Sequence, residues 1–258
     1  MATRENRGTA QAGTPGELAP VVVRRDTEIY GTEGGWFKAR WHFSFDQYRD
    51  PNQMGIGTLR VFNDDILVPG ADWPMHPHRD VEGITYVVAG EFEHADSMGN
   101  GGVLLPGGVQ RMRLGSGAEH SERNYSQTAP MRFLQLWILP AARGLTPRND
   151  QRQYRAEDRH NRLLRVIRPD TSPGDEIEVA QDASIYVARL DPDIAVEQTL
   201  PPGHGGYAYL IEGAVELNGE RLTTGDAVYI TGDGLVRIRA EQPSELLLVD
   251  TPLQRERT

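Results

Sequence analysis

The chain contains no cysteine. That removes disulfides, thiolate metal sites, cysteine nucleophiles and thiol redox sensing together. Lysine is nearly absent as well: Lys38 is the only one among 27 basic residues. No apolar run approaches the roughly 18 residues that a membrane span needs. Residues 1–19 are polar and lack the apolar stretch of a secretion signal. With no membrane segment, targeting signal or disulfide, the expected compartment is the cytoplasm. The 37 acidic residues outweigh the basic ones and leave a net charge of −10. A nucleic-acid-binding surface, which needs a net basic face, is therefore not expected.

Long amphipathic helical periodicity is missing too, and strand signals take its place. Short β-branched and aromatic runs recur at Val21–Val23, Gly57–Phe62, Ile84–Val88, Phe133–Leu139, Ser184–Leu190, Tyr207–Ile211, Ala227–Ile230 and Glu245–Val249, broken by Gly, Pro, Asn and Asp. The expected class is all-β, a sandwich or barrel. At 258 residues the chain fits one large β domain or two of ordinary size. Residues 1–19 read as a mobile arm that joins the fold near Pro20-Val21-Val22-Val23. Residues 20–142 read as one domain and 169–258 as a second. Between them, 143–168 carries eight arginines; it reads as a solvated linker or a basic docking patch, and Thr146-Pro147 could open a short helix.

An internal repeat relates the halves. Tyr86-Val-Val-Ala-Gly90-Glu-Phe-Glu aligns with Tyr209-Leu-Ile-Glu-Gly213-Ala-Val-Glu, and Gly108, Gly115 and Gly117 align with Gly225, Gly232 and Gly234. The hairpin is longer in the first half, where Asp96-Ser-Met-Gly-Asn-Gly-Gly102 supplies turn residues.

His76-Pro-His78 places two imidazoles at i and i+2, which on a strand share one face. His120-Ser-Glu122 repeats the device with an imidazole and a carboxylate. Two strands of one barrel could thus converge on a single ion. Three nitrogens and one carboxylate oxygen suit Fe(II), Mn(II), Ni(II), Cu(II) or Zn(II) better than Ca or Mg. Carried across the repeat, His76 and His78 fall on Thr199 and Pro201, and His120 and Glu122 on Arg237 and Arg239. Two arginines aimed into a pocket would repel a cation, so the second domain is expected to have no metal site.

The flanking residues add a pattern. Gly70-x5-His76-x-His78-x3-Glu82-x7-Gly90 and Gly115-x-Gly117-x2-His120-x3-Asn124 resemble the two cupin motifs. They depart from them in one extra residue before Gly90 and in Gly115 where proline is usual. Within cupins, the stretches His76 to Gly90, Glu93 to Asn100, Gln110-Arg-Met112 and Gly117 to Glu122 resemble the pirin family, above all its bacterial quercetin dioxygenases. Phe43-Ser-Phe45-Asp46-Gln-Tyr48 and Asn63-Asp64-Asp65 agree with that subgroup. The resemblance is specific over about 40–140 and looser beyond.

This resemblance implies a bicupin fold, two tandem jelly-roll-like β-barrels. It implies one divalent transition metal in the first barrel, Fe(II) foremost with Mn, Ni, Cu, Zn or Co as alternatives, held by His76, His78, His120 and Glu122. It implies that Glu82, a ligand in many cupins, is not one here; that residue then orients a ligand imidazole or is structural. The implied reaction is ring opening of quercetin or a related flavonol or enol by O2, with Glu122 taking the proton of the substrate hydroxyl. The alternative is a redox-sensing regulator that binds a protein partner without turnover. His94 could be a further polar group in the pocket or a structural histidine. Asn124 is expected to cap a turn, His204 to be an ordinary loop histidine, and His42 and His160 to have no role. A monomer is the default, since one lobe can already pack on the other.

Overall fold

The computed structural model describes residues 16–253. Among these, helix is confined to two single turns, Asp26–Glu28 and Glu157–Arg159; no helix is long and apolar enough to cross a membrane. The strands form two lobes on one plan, each with a seven-stranded and a four-stranded sheet. The fold is a bicupin.

In the first lobe the larger sheet runs Arg148–Gln153, Gly108–Arg113, Glu82–Ala89, Met131–Ile138, Leu59–Leu67, Phe37–Trp41, Tyr30–Glu33. Its smaller sheet runs Asp72–His78, Ala118–Asn124, Phe92–Asp96, Gly101–Leu104. In the second lobe the larger sheet runs Val21–Arg24, Ala227–Ile230, His204–Glu212, Ser244–Pro252, Ser184–Leu190, Leu164–Pro169, Ile177–Val179, and the smaller Ala195–Leu200, Gly234–Ala240, Ala214–Leu217, Glu220–Thr223.

The two larger sheets pack back to back through one core that includes Phe43, Phe62, Leu134 and Leu136 from the first and Ile185, Tyr207, Leu247 and Val249 from the second. This explains why central strands read as continuous apolar runs. In Leu246-Leu-Leu-Val249, Leu247 and Val249 enter the inter-lobe core, while Leu246 and Leu248 enter the second barrel. A sheet covered on both faces needs apolar side chains at every position, not at alternate ones.

Both ends of the first lobe cross the boundaries read from sequence. Val21–Arg24 pairs with Ala227–Ile230 and so completes the second lobe's sheet; Glu17 and Ala19 bond to the backbone of Leu235. Most of the expected arm, 1–15, lies outside the described residues. Within 143–168, Arg148–Gln153 pairs with Gly108–Arg113 as an edge strand of the first lobe. No helix follows Thr146-Pro147, because the backbone there enters that ladder instead. Several arginines of this stretch are neutralised: Arg148 by Asp150 and Glu178, Arg159 by Glu245, Arg165 by Glu176.

The two barrel interiors differ. The second is filled by one aliphatic cluster containing Val196, Leu200, Val215, Leu217, Val236 and Ile238. The first holds only two smaller clusters, around Phe92 and Phe133 and around Met112 and Leu114. Polar side chains occupy the space between.

Candidate metal centre

The polar interior is built on two neighbouring strands. Asp72–His78 and Ala118–Asn124 pair antiparallel, with His76 opposite His120 and His78 opposite Ala118. Along the second strand Ala118, His120, Glu122 and Asn124 are buried while Glu119 and Arg123 are exposed. This is the period-2 alternation that places both ligand types inward. The register shifts between His120 and Glu122, leaving Glu122 opposite Trp73. A bulge of this kind re-aims side chains, and His76 and His78 both turn towards His120.

One ring nitrogen from each of His76, His78 and His120 lies within 4.8 Å of the others. Three donors that share one ion at about 2.1 Å sit about 3.0–3.6 Å from one another, so the imidazoles need to close by about an ångström or somewhat more. Glu122 stands beside them, Oε1 at 3.2 Å from His120 Nδ1 and Oε2 at 3.9 Å from His76 Nε2. His76 Nδ1 lies 2.8 Å from the Pro74 carbonyl. An N–H donated there fixes the tautomer and leaves the Nε2 lone pair free. His120 Nε2 is buried and takes no hydrogen bond from the protein. A buried imidazole nitrogen without a partner fits a cation.

Electrostatics favour the same state. Burial, reinforced by His76 and His78, pushes His120 down to about 3, and burial followed by His76 pushes His78 down to about 4. Both are neutral at physiological pH, as ligands must be. Burial pushes the Glu122 carboxyl up to about 8, a position that a nearby cation would reverse.

The centre opens into a cavity of about 530 Å³. Its rings touch in two groups: Trp36, Phe37, Trp73 and Phe133, and Trp41, Phe45 and Trp137, the last packed on His78 at 4.6 Å between ring centres. Asn63, Asp65 and Gln135, from the larger sheet, add polar groups. None of the three was singled out for the site in sequence. Their signal was polar residues in the middle of two central strands, Leu59–Leu67 and Met131–Ile138.

The remaining candidates lie elsewhere. Glu82 is fully buried, accepts from Arg113 at 2.9 Å and from the Ala180 N–H at 3.1 Å, and faces Arg111; it ties the first lobe to the second. His94 is opposite Glu122 in the ladder and lies 3.0 Å from Gln151 through Nε2. Asn124 donates to the carbonyls of Leu67, Val68 and Ala129 and accepts from the Ser126 N–H, which locks a turn. His42 is buried between the lobes, 2.9 Å from the Tyr207 hydroxyl, and His160 pairs with Asp191 at the surface.

Two expectations need correction. His204 is no loop histidine: it opens the strand His204–Glu212, buried between Asp250 at 2.7 Å and Asp182 at 3.3 Å. Arg237 and Arg239 do not point inward. They are exposed and paired with Glu197 and Asp193, while Val236, Ile238 and Ala240 face the barrel. The repeat slips by one residue after Gly234, and one residue reverses every side chain of a strand. Thr199 likewise faces outward, and Pro201 lies beyond its strand.

Comparison with known proteins agrees with this architecture. The family model described as Pirin matches residues 23–138, and that of the quercetinase C-terminal cupin domain matches 166–251. The quercetin 2,3-dioxygenase of Escherichia coli K12 is 37% identical over 90% of this chain and 99% of its own length. A pirin-like protein of Caulobacter vibrioides is 37% identical over 86% of this chain and 96% of its own. The crystal structure of the bacterial pirin YhhW from Escherichia coli in complex with nickel(II) superposes with a TM-score of 0.85 at 34% identity, covering 91% of this chain and all of that one. The two-lobed fold, the paired family matches and the full-length similarity agree: this chain is a member of the pirin family.

Proposed function

We propose that the first lobe holds one divalent metal through His76, His78, His120 and Glu122 and opens the ring of a quercetin-type flavonol with O2. The observation that carries this reading is the convergence of three imidazoles beside a buried carboxyl at an aromatic-lined cavity. The names of the similar E. coli proteins, a quercetin 2,3-dioxygenase and a pirin in complex with nickel(II), support it. Bound there, a divalent ion would supply Lewis acidity towards an acidic substrate hydroxyl. Fe(II) is our first assignment; Mn, Ni, Cu, Zn and Co suit the same donors.

The chain's own residues do the rest. Glu122 accepts the hydroxyl proton at a carboxylate oxygen: burial favours its protonated form, against the pull of the cation towards the carboxylate. The Pro74 carbonyl orients His76. Trp137 packs against His78 and, with Trp41 and Phe45 in edge-to-face contact, offers an apolar aromatic wall for fused rings. Four protein donors leave room on a five- or six-coordinate ion, unlike a closed structural zinc site. On the same reading the protein acts as a cytoplasmic monomer on a small molecule. Incubating the metal-loaded protein with quercetin under air should bleach the flavonol absorbance with uptake of O2. Unchanged absorbance with the Fe, Mn, Ni, Cu, Zn and Co forms would remove the proposal.

A further inference from the structure

The strand Leu59–Leu67 carries three consecutive polar residues, Asn63-Asp64-Asp65, in the middle of the first lobe's larger sheet. Alternation sends them to opposite faces. Asp64 faces the second lobe, accepting two hydrogen bonds from Arg132 at 2.9 and 2.6 Å and one from the Tyr209 hydroxyl at 2.6 Å. Asn63 and Asp65 face the cavity, where they are 3% and 5% exposed. Unlike Asp64, each keeps an unsatisfied oxygen: Asn63 Oδ1 and Asp65 Oδ1 are both buried without a hydrogen-bond partner, although the Asp65 carboxyl also accepts from the Trp41 indole N–H. Gln135, opposite Asn63 in the ladder, offers its own oxygen to Thr85 at 2.7 Å. A buried acceptor without a donor costs about as much as a lost hydrogen bond. Two of them on one cavity wall, beside the Trp41 ring, are placed for donors carried by a guest.

We infer that Asn63 and Asp65 form a hydroxyl-recognising subsite, in which their two free oxygens accept hydrogen bonds from phenolic O–H groups of the substrate. The inference rests on the flavonol-type substrate proposed above and specifies which groups that substrate must carry: free hydroxyls, distinct from the one whose proton Glu122 takes. Asn63 and Asp65 are positioning residues. A site built to bond a hydroxyl rejects the analogue that lacks it, because its polar groups are then left unpaired.

The test measures binding of quercetin and its mono-O-methyl ethers by quenching of the cavity tryptophans, on protein loaded with metal. The native protein should bind quercetin about tenfold more tightly than the ether blocked at the recognised hydroxyl. Asp65→Leu, branched at the same carbon and apolar, should bring that ratio near one with metal content unchanged, while Asp65→Asn, which keeps an acceptor, should retain most of it. Asn63→Leu supplies the same ratio should Asp65→Leu fail to fold. A ratio untouched by either leucine, no ether discriminated by the native protein, or no binding of any ligand would overturn the subsite. Discrimination that behaves as predicted without turnover would remove the dioxygenase reading alone and leave the subsite standing.

Discussion

On the proposed reading Glu122 serves two roles that pull in opposite directions. Its position beside His120 and His76 suits a metal donor, which favours the carboxylate, while its burial favours the protonated form. Replacing Glu122 with Gln keeps the shape and removes the charge. Flavonol turnover should fall about 10²- to 10⁴-fold with the circular dichroism spectrum unchanged. The same residue gives the metal-free protein a distinctive pH dependence. Glu122 in the folded state titrates at about 8, against 4.5 for the free side chain. The folded protein therefore keeps a proton that the unfolded chain releases, and stability from this group falls as pH rises from 4.5 to 8. His78 and His120 act oppositely: folded values of about 4 and about 3 against 6.5 mean that stability falls as pH drops below 6.5. After chelation the melting temperature should peak near pH 6.5 and fall by several degrees towards pH 8, and Glu122→Gln should flatten the upper limb. The convergence of His76, His78, His120 and Glu122 was legible because His-x-His and His-x-Glu are compact and each pair, at i and i+2, shares one face of a strand. The subsite residues were not, because which face of a central strand meets a cavity depends on the opposite sheet.

At the scale of the element, the strands that carry the site are held by turns more than by their own propensity. Asn124 satisfies the carbonyls of Leu67, Val68 and Ala129. Asn124→Ala would strand them and should cost about 2–3 kcal/mol, read as a lower urea midpoint. Burial patterns made the central strands readable, and Ser184–Leu190 and Ala227–Ile230 match their apolar runs end to end. One edge strand was not readable: Arg148–Gln153 is wholly polar and becomes a strand only by pairing with Gly108–Arg113. The repeat established duplication but not register; one residue between Gly234 and Val236 moved Arg237 and Arg239 to solvent. Val21–Arg24 belongs to the sheet of the distant lobe. Removing residues 1–24 should therefore lower the melting temperature.

At the scale of the molecule, the two larger sheets share one core, and hydrogen bonds such as that from the Ala180 N–H to Glu82 join the lobes. Neither lobe can lose its larger sheet without exposing the other's. Calorimetry should show one unfolding transition, with calorimetric and van't Hoff enthalpies in agreement. The second lobe contributes an aliphatic interior and a rigid back wall; the first gives up a continuous core for a polar centre and a cavity. Duplication followed by division of labour accounts for both. The central claim is that the three imidazoles and Glu122 hold one ion, and elemental analysis of gently purified protein beside its His120→Ala variant tests it most directly. About one transition-metal ion per native chain, lost in a variant that still folds, is the expected result; a native chain without metal, or a variant that keeps it, would contradict the account.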